Sequence, residues 1–184
     1  MKKRHIIILS LCLLALWGKP HRAAAQFFSA KVNALAALTG TVNVGLDAAV
    51  ADKWTLDVSG YWNPINTNSF SCRLYAAQIG TKRWLYEAFV GHFIGGQLTY
   101  GNYLYGGSRR YYKGHMGGLG FSYGYAWLLS KRWNITAEIG IGVYRMTDTR
   151  RDRTPPEYEP IFIHHYKRWV VGPSRAEISF NYLF

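Results

Sequence analysis

The chain has 184 residues, with 22 Lys and Arg against 10 Asp and Glu, a formal net charge of +12, 16% aromatic residues, 19 Gly and two Cys. That length allows a single domain, and two cysteines exclude a small disulfide-held scaffold. Past the first 25 residues no apolar run approaches the roughly 20 residues that a membrane-spanning helix needs. The aromatic and glycine content suits a β-sandwich or a β-barrel equally, so residue placement along the strands must decide.

Lys2, Lys3 and Arg4 precede an apolar run over residues 6–17, and Ala23, Ala24 and Ala25 follow it. Basic, then apolar, then small is the order of a secretory signal peptide, so residues 1–25 are expected to be removed, leaving a domain over 26–184. Cys12 follows Leu11 rather than a small residue, which argues against lipoprotein processing. Loss of Lys2, Lys3, Arg4, Lys19 and Arg22 leaves 17 basic against 10 acidic residues, a net charge of +7, and Cys72 as the remaining thiol.

Eight alternating segments follow in order: 28–35, 43–51, 54–62, 71–83, 91–103, 114–127, 133–145 and 173–184. In the third, Trp54, Leu56, Val58 and Trp62 alternate with Thr55, Asp57, Ser59 and Tyr61. The fourth and fifth are less regular, because Gln78 and His92 break either choice of face. In the sixth, Leu119, Phe121, Tyr123, Tyr125 and Trp127 oppose Gly118, Gly120, Ser122, Gly124 and Ala126. The seventh sets Trp133, Ile135, Ala137, Ile139, Ile141 and Val143 against Asn134, Thr136, Glu138, Gly140, Gly142 and Tyr144. In the eighth, Ile178, Phe180, Tyr182 and Phe184 share one face and Glu177, Ser179 and Asn181 the other.

A soluble sandwich puts bulk on its core face and charge on its wet face, whereas here the second face is glycine, serine and isolated charges. A small barrel in lipid fits better, with the bulky face outward and the small or polar face inward. The connections agree: short at 51–53 and 128–132, long at 63–70, 104–113 and 146–172. The expected fold is all-β, an eight-stranded antiparallel transmembrane β-barrel with both termini periplasmic, closed by pairing of its first and last strands. That places it in the bacterial outer membrane, where the barrel-insertion machinery would recognise the final strand.

A basic residue precedes Trp at Lys53-Trp54, Arg83-Trp84, Arg132-Trp133 and Arg168-Trp169. Trp54, Trp84, Trp127 and Trp133 are therefore expected to form an aromatic girdle at the periplasmic boundary. The inward faces collect Lys31, Asn33, Asn43, Asp47, Asp57, Glu138, Arg175 and Glu177, with Arg73 a further candidate. Charges in so narrow an interior must pair, and an eight-stranded barrel is filled by its side chains, which argues against a solute channel.

Four stretches carry a family resemblance: Lys53-Trp54-Thr55-Leu56-Asp57-Val58-Ser59-Gly60-Tyr61, Trp84-Leu85-Tyr86-Glu87-Ala88-Phe89-Val90-Gly91-His92-Phe93, residues 122–134 with their Ser130-Lys131-Arg132-Trp133-Asn134 turn, and Gly172-Pro173-Ser174-Arg175-Ala176. They resemble the DUF3575 family, uncharacterised outer-membrane β-barrel proteins of Bacteroidota, sometimes encoded near fimbrial genes. Lys31, Asn33, Asn43 and Gly45 resemble its first hairpin. The resemblance implies a fold and a location, and no reaction.

Chemistry is sparse. His164 and His165 point opposite ways on a strand and are poorly placed to share one metal ion, so no metal or other cofactor is expected. Ser108, His115 and His164 with Glu157 or Glu159 could form a rim enzyme acting on lipid A, the alternative reading. Arg109, Arg110, Tyr111, Tyr112, Lys113, Arg150, Arg151 and Arg153 lie in or beside the long outer loops, where they would suit lipopolysaccharide phosphates. The loop tyrosines and prolines would suit a surface protein, with a fimbrial assembly as a third reading. The expected compartment excludes nucleic acid. The reading favoured by the sequence is a small non-enzymatic barrel that binds through its outer loops.

Overall fold

The computed structural model describes residues 28–67, 69–108, 110–152 and 165–184, with backbone alone for Arg110, Arg151, Asp152 and His165. Eight strands run in chain order: β1 Phe28–Asn33, β2 Val42–Ala51, β3 Trp54–Asn63, β4 Ser71–Trp84, β5 Gly91–Gly106, β6 Arg110–Ser130, β7 Trp133–Asp152 and β8 His165–Leu183. Each pairs antiparallel with the next, and β8 returns to β1 from Ser29↔Leu183 to Asn33↔Ser179, so the barrel is closed. Phe28 and Phe184 extend that seam with reciprocal backbone bonds of 3.3 and 3.0 Å.

The register fixes the tilt. Lys31 leads through Gly45, Ser59, Gln78, Thr99, Gly118 and Tyr144 to Val170 on β8, eleven residues from Asn181, the residue Lys31 meets at the seam. A stagger of that size inclines the strands to the barrel axis by roughly 40°.

The strands depart from the sequence expectation at their distal ends, away from the termini. β1 stops at Asn33, which caps a one-turn helix, α1 Ala34–Leu38, its Oδ1 accepting the Ala36 N–H at 3.2 Å. The Ala-Leu-Ala-Ala-Leu run favours that turn over continued strand. In contrast, β5 to β8 outrun their expected ends, and β6 pairs with β7 as far as Arg110↔Asp152. Much of the long loops expected at 104–113 and 146–172 is therefore strand. Hydrophobic alternation marks a strand only where its two faces meet different surroundings, and it lapses at this end while the backbone ladder continues. The barrel is lopsided, low at β1 to β3 and tall at β5 to β8.

Side chains alternate along the central part of the strands, and the polarity is that of a globular protein turned inside out. Phe121 is 75% exposed and Ile139 71%, whereas Asp57, Ser59, Asn134 and Ser179 are buried. On β7 the outward apolar set runs from Trp133 to Val143, ten residue steps and about 25 Å measured along the axis at that tilt. Gln78, one of the residues that obscured the weaker strands, points inward; His92 points outward, its Nδ1 2.6 Å from the Tyr123 hydroxyl. A register shift between Gly140 and Ile141 leaves an extra residue on β8, and both Ser174 and Arg175 face inward as a result.

Candidate functional site

The interior is built in layers. Nearest the termini, Trp84, Phe89 and Phe93 cluster, with Trp84 4.5 Å from Phe93 and 6.0 Å from Phe89 between ring centroids. The 85–90 turn carries Phe89 into the mouth of the barrel at a φ of 69°, and Asn134 Nδ2 holds its carbonyl at 3.0 Å. Trp84 Nε1 donates to Thr55 Oγ1 at 3.1 Å. Trp84 is thus 3% exposed and plugs the interior, which corrects its expected place in the girdle. It is level with Phe93, and the even positions of β4 point inward. Trp54, Trp127 and Trp133 stand outward at this end, with the Arg83 guanidinium over Trp54 at 5.8 Å.

Above the aromatics lies a charged layer. Arg175 donates to Asp57, to Glu138 at 3.0 and 3.3 Å and to Gln78 Oε1 at 3.2 Å, with Glu177 at 3.8 Å. Lys31 Nζ stands 3.6 to 3.7 Å from Asp47, Asp57 and Glu177, and Lys82 Nζ 3.5 to 3.6 Å from Glu138 and Asp47. Three cations face four carboxylates, and the Tyr61 hydroxyl, donating to Glu177 at 2.5 Å, offsets part of the excess. Such a cluster gains little net stability, yet each member is costly to lose. Lys82 and Gln78 were not among the expected interior residues, whereas Tyr61 lies on the inward face expected of the third segment. Lys82 lies on the same alternation as Gln78 and Trp84, a signal that Gln78 hid while the face of β4 was undecided. Asn33 and Asn43 are buried higher up, bonding the Ala176 and Gly60 carbonyls at 3.4 and 2.9 Å. Arg73, a candidate for the interior, points outward, because its neighbour Leu74 is level with inward-facing Asn63.

The outer candidates are distributed rather than gathered. Arg109 and Arg153 lie outside the described residues, and so do His164, Glu157, Glu159 and the signal peptide expected over 1–25. Arg110, Tyr111, Tyr112 and Lys113 belong to β6, and Arg150 and Arg151 to β7, with pairs Tyr111↔Arg151, Tyr112↔Arg150 and Lys113↔Thr149. Strand alternation sends Tyr111 and Lys113 to one face and Tyr112 and Arg150 to the other, so the described part of the cluster expected in loops is divided between the inner and outer surfaces of a wall. His115 faces outward between Asn102 and Thr147, while Ser108 sits at the β5–β6 turn. His115 is five residues down β6 from Arg110, roughly 17 Å at the strand rise. Ser108 and His115 therefore do not meet.

A closed eight-stranded barrel, apolar outside and packed inside with aromatic rings and ion pairs, with Arg73, Lys113 and Lys167 toward the distal end of its outer face, is the class this geometry defines. The chain belongs to the DUF3575 family, described as a protein of unknown function, which matches residues 7–184. It matches no curated protein and no solved structure.

Proposed function

We propose that this protein is an outer-membrane barrel that conducts no solute and catalyses no reaction, and that it anchors a basic, strand-built wall at the cell surface as a binding platform. The inside-out polarity carries the reading. A band of exposed aliphatic and aromatic side chains about 25 Å tall matches the hydrocarbon thickness that outer-membrane barrels cross, and closure of β8 on β1 satisfies the backbone that lipid cannot. The signal peptide read from residues 1–25 fits export, and the aromatic plug and charged layer favour a structural or binding role over transport. Cell fractionation tests the location: the chain should appear in the outer membrane as a heat-modifiable species, and recovery as a soluble periplasmic protein would sink the proposal. Planar bilayers test the sealed interior, where stable ion-selective openings would move the reading to a channel.

One observation favours a protein partner as a second reading. β1 reaches only to Asn33↔Ser179, so β8 above that point has no strand neighbour on its β1 side among the described residues. An unpaired edge can accept a strand from another chain. Lys167 on that stretch would discourage indiscriminate pairing and favour an acidic segment, while Arg168 is already paired with Asp148 at 2.8 Å.

A further inference from the structure

On β4 to β8 the outward face turns from apolar to polar at one step of the alternation, although Leu104 stands outward above Asn102 on β5. The switch falls between Tyr75 and Arg73 on β4, Tyr100 and Asn102 on β5, Gly117 and His115 on β6, Val143 and Arg145 on β7, and at Trp169 to Lys167 on β8. Every carboxylate whose side chain is described either faces inward, as Asp47, Asp57, Glu138, Asp148 and Glu177 do, or lies in a turn at the terminal end, as Asp52 and Glu87 do. Arg73, Lys113 and Lys167 make no ion pair with any described residue.

Two recesses adjoin at this boundary. The upper, about 460 Å³, lies between Arg73 on β4 and Lys113 and His115 on β6, with Asn102 from β5 and Thr147 and Thr149 from β7. Arg73 and Lys113 are both level with Leu104, which sets their Cα atoms about 10 Å apart at ordinary strand spacing. Both side chains can close on one anion held over β5. The lower recess, about 520 Å³, is an apolar furrow on the outer face. Register aligns Val44, Gly60, Ala77 and Tyr100, so two small residues form a floor between two large walls. Tyr75 and Asn102 border both recesses and join them. One step further down, Leu46, Val58, Ile79 and Leu98 are all large, and the furrow ends there.

We propose that these recesses form one site for a phosphate-bearing membrane lipid, its acyl chain lying over Gly60 and Ala77 and its phosphate between Arg73 and Lys113. An anion alone would use only the upper recess and a neutral lipid only the lower. Their junction on the bilayer-facing side, at the apolar boundary, suits a molecule with both parts. Arg and Lys supply charge-assisted bonds to phosphate oxygens, and Tyr75 occupies the level where aromatic side chains meet head groups. The site deepens the proposed function and rests on the membrane reading.

Native mass spectrometry of the full mature chain, released from micelles doped with phosphatidic acid, tests the site. Wild type should retain one phosphatidic acid, should not retain diacylglycerol, and should not exchange the bound lipid for added inorganic phosphate. Arg73→Ala with Lys113→Ala should weaken retention about 30-fold, on the order of fivefold for each cation at a charged lipid surface. Ala77→Trp should abolish retention by filling the furrow, and Lys53→Gln at the opposite end should change nothing. Equal retention of diacylglycerol, displacement by inorganic phosphate, or undiminished retention by either variant would overturn the proposal. Heat-modifiable mobility of every variant separates the two readings: folded, membrane-inserted protein without selective retention refutes the lipid site alone, whereas wild type that fails to insert refutes the membrane reading beneath it.

Discussion

Arg175 is where the interior is most vulnerable. Its side chain is 1% exposed and faces Asp57, Glu138 and Glu177. Replacing it by Leu would leave Asp47, Asp57, Glu138 and Glu177 with Lys31 and Lys82 alone, at the looser separations of 3.5 to 3.7 Å. Removing one partner from a buried ion pair costs about 3–5 kcal/mol, and here several carboxylates lose a partner together, so the upper part of that range is expected. Adding Glu138→Leu restores the balance of one excess negative charge and removes one of the stranded carboxylates. The double variant should therefore be more stable than the sum of the single effects predicts, by about 1–3 kcal/mol. Urea titration in lipid vesicles, read by heat-modifiable electrophoresis, measures all four corners of the cycle. An Arg175→Leu midpoint equal to wild type, or strict additivity in the double variant, would refute the cluster as the organising layer of the interior.

Ile139→Arg puts a charge in the middle of the outward apolar band and should cost about 2–4 kcal/mol by the same titration, while Thr147→Arg above the band should cost little; equal costs would mean that no hydrocarbon lies against β7. Gly124→Ala would set a methyl 2.4 Å from Phe93 Cζ and 2.6 Å from the Ala137 carbonyl, so the aromatic layer must shift at about 1–3 kcal/mol. A variant as stable as wild type would show that layer to be loosely packed. Deletion of residues 182–184 removes the Leu183 N–H to Arg132 carbonyl bond of 2.8 Å and the stacking of Phe184 on Phe28. Folded protein in outer-membrane fractions should fall while precursor processing continues; unchanged levels would mean that the seam does not depend on these residues.

Alternation along the central strands was legible in the sequence, because a strand between an apolar exterior and a crowded interior must separate its residues by parity. Trp133 to Val143 and Ile178 to Phe184 declare their faces unaided, and with them the eight strands and the inward placement of Lys31, Asp57, Glu138 and Glu177. Parity does not determine where a strand stops once both faces have similar surroundings, and for that reason the tall wall of β5 to β8 had the look of loops. Nor does it say which face a strand presents when Gln78 or His92 interrupts the pattern; only the register with β3 and β6 turned Gln78, Lys82 and Trp84 inward and His92 outward. The bulge that brings Arg175 beside Asp57, the turn that drives Phe89 into the mouth, and the placing of Arg73 and Lys113 on either side of Leu104 all depend on chain stagger. Stagger comes from closing the ring, so it exists only in the folded barrel.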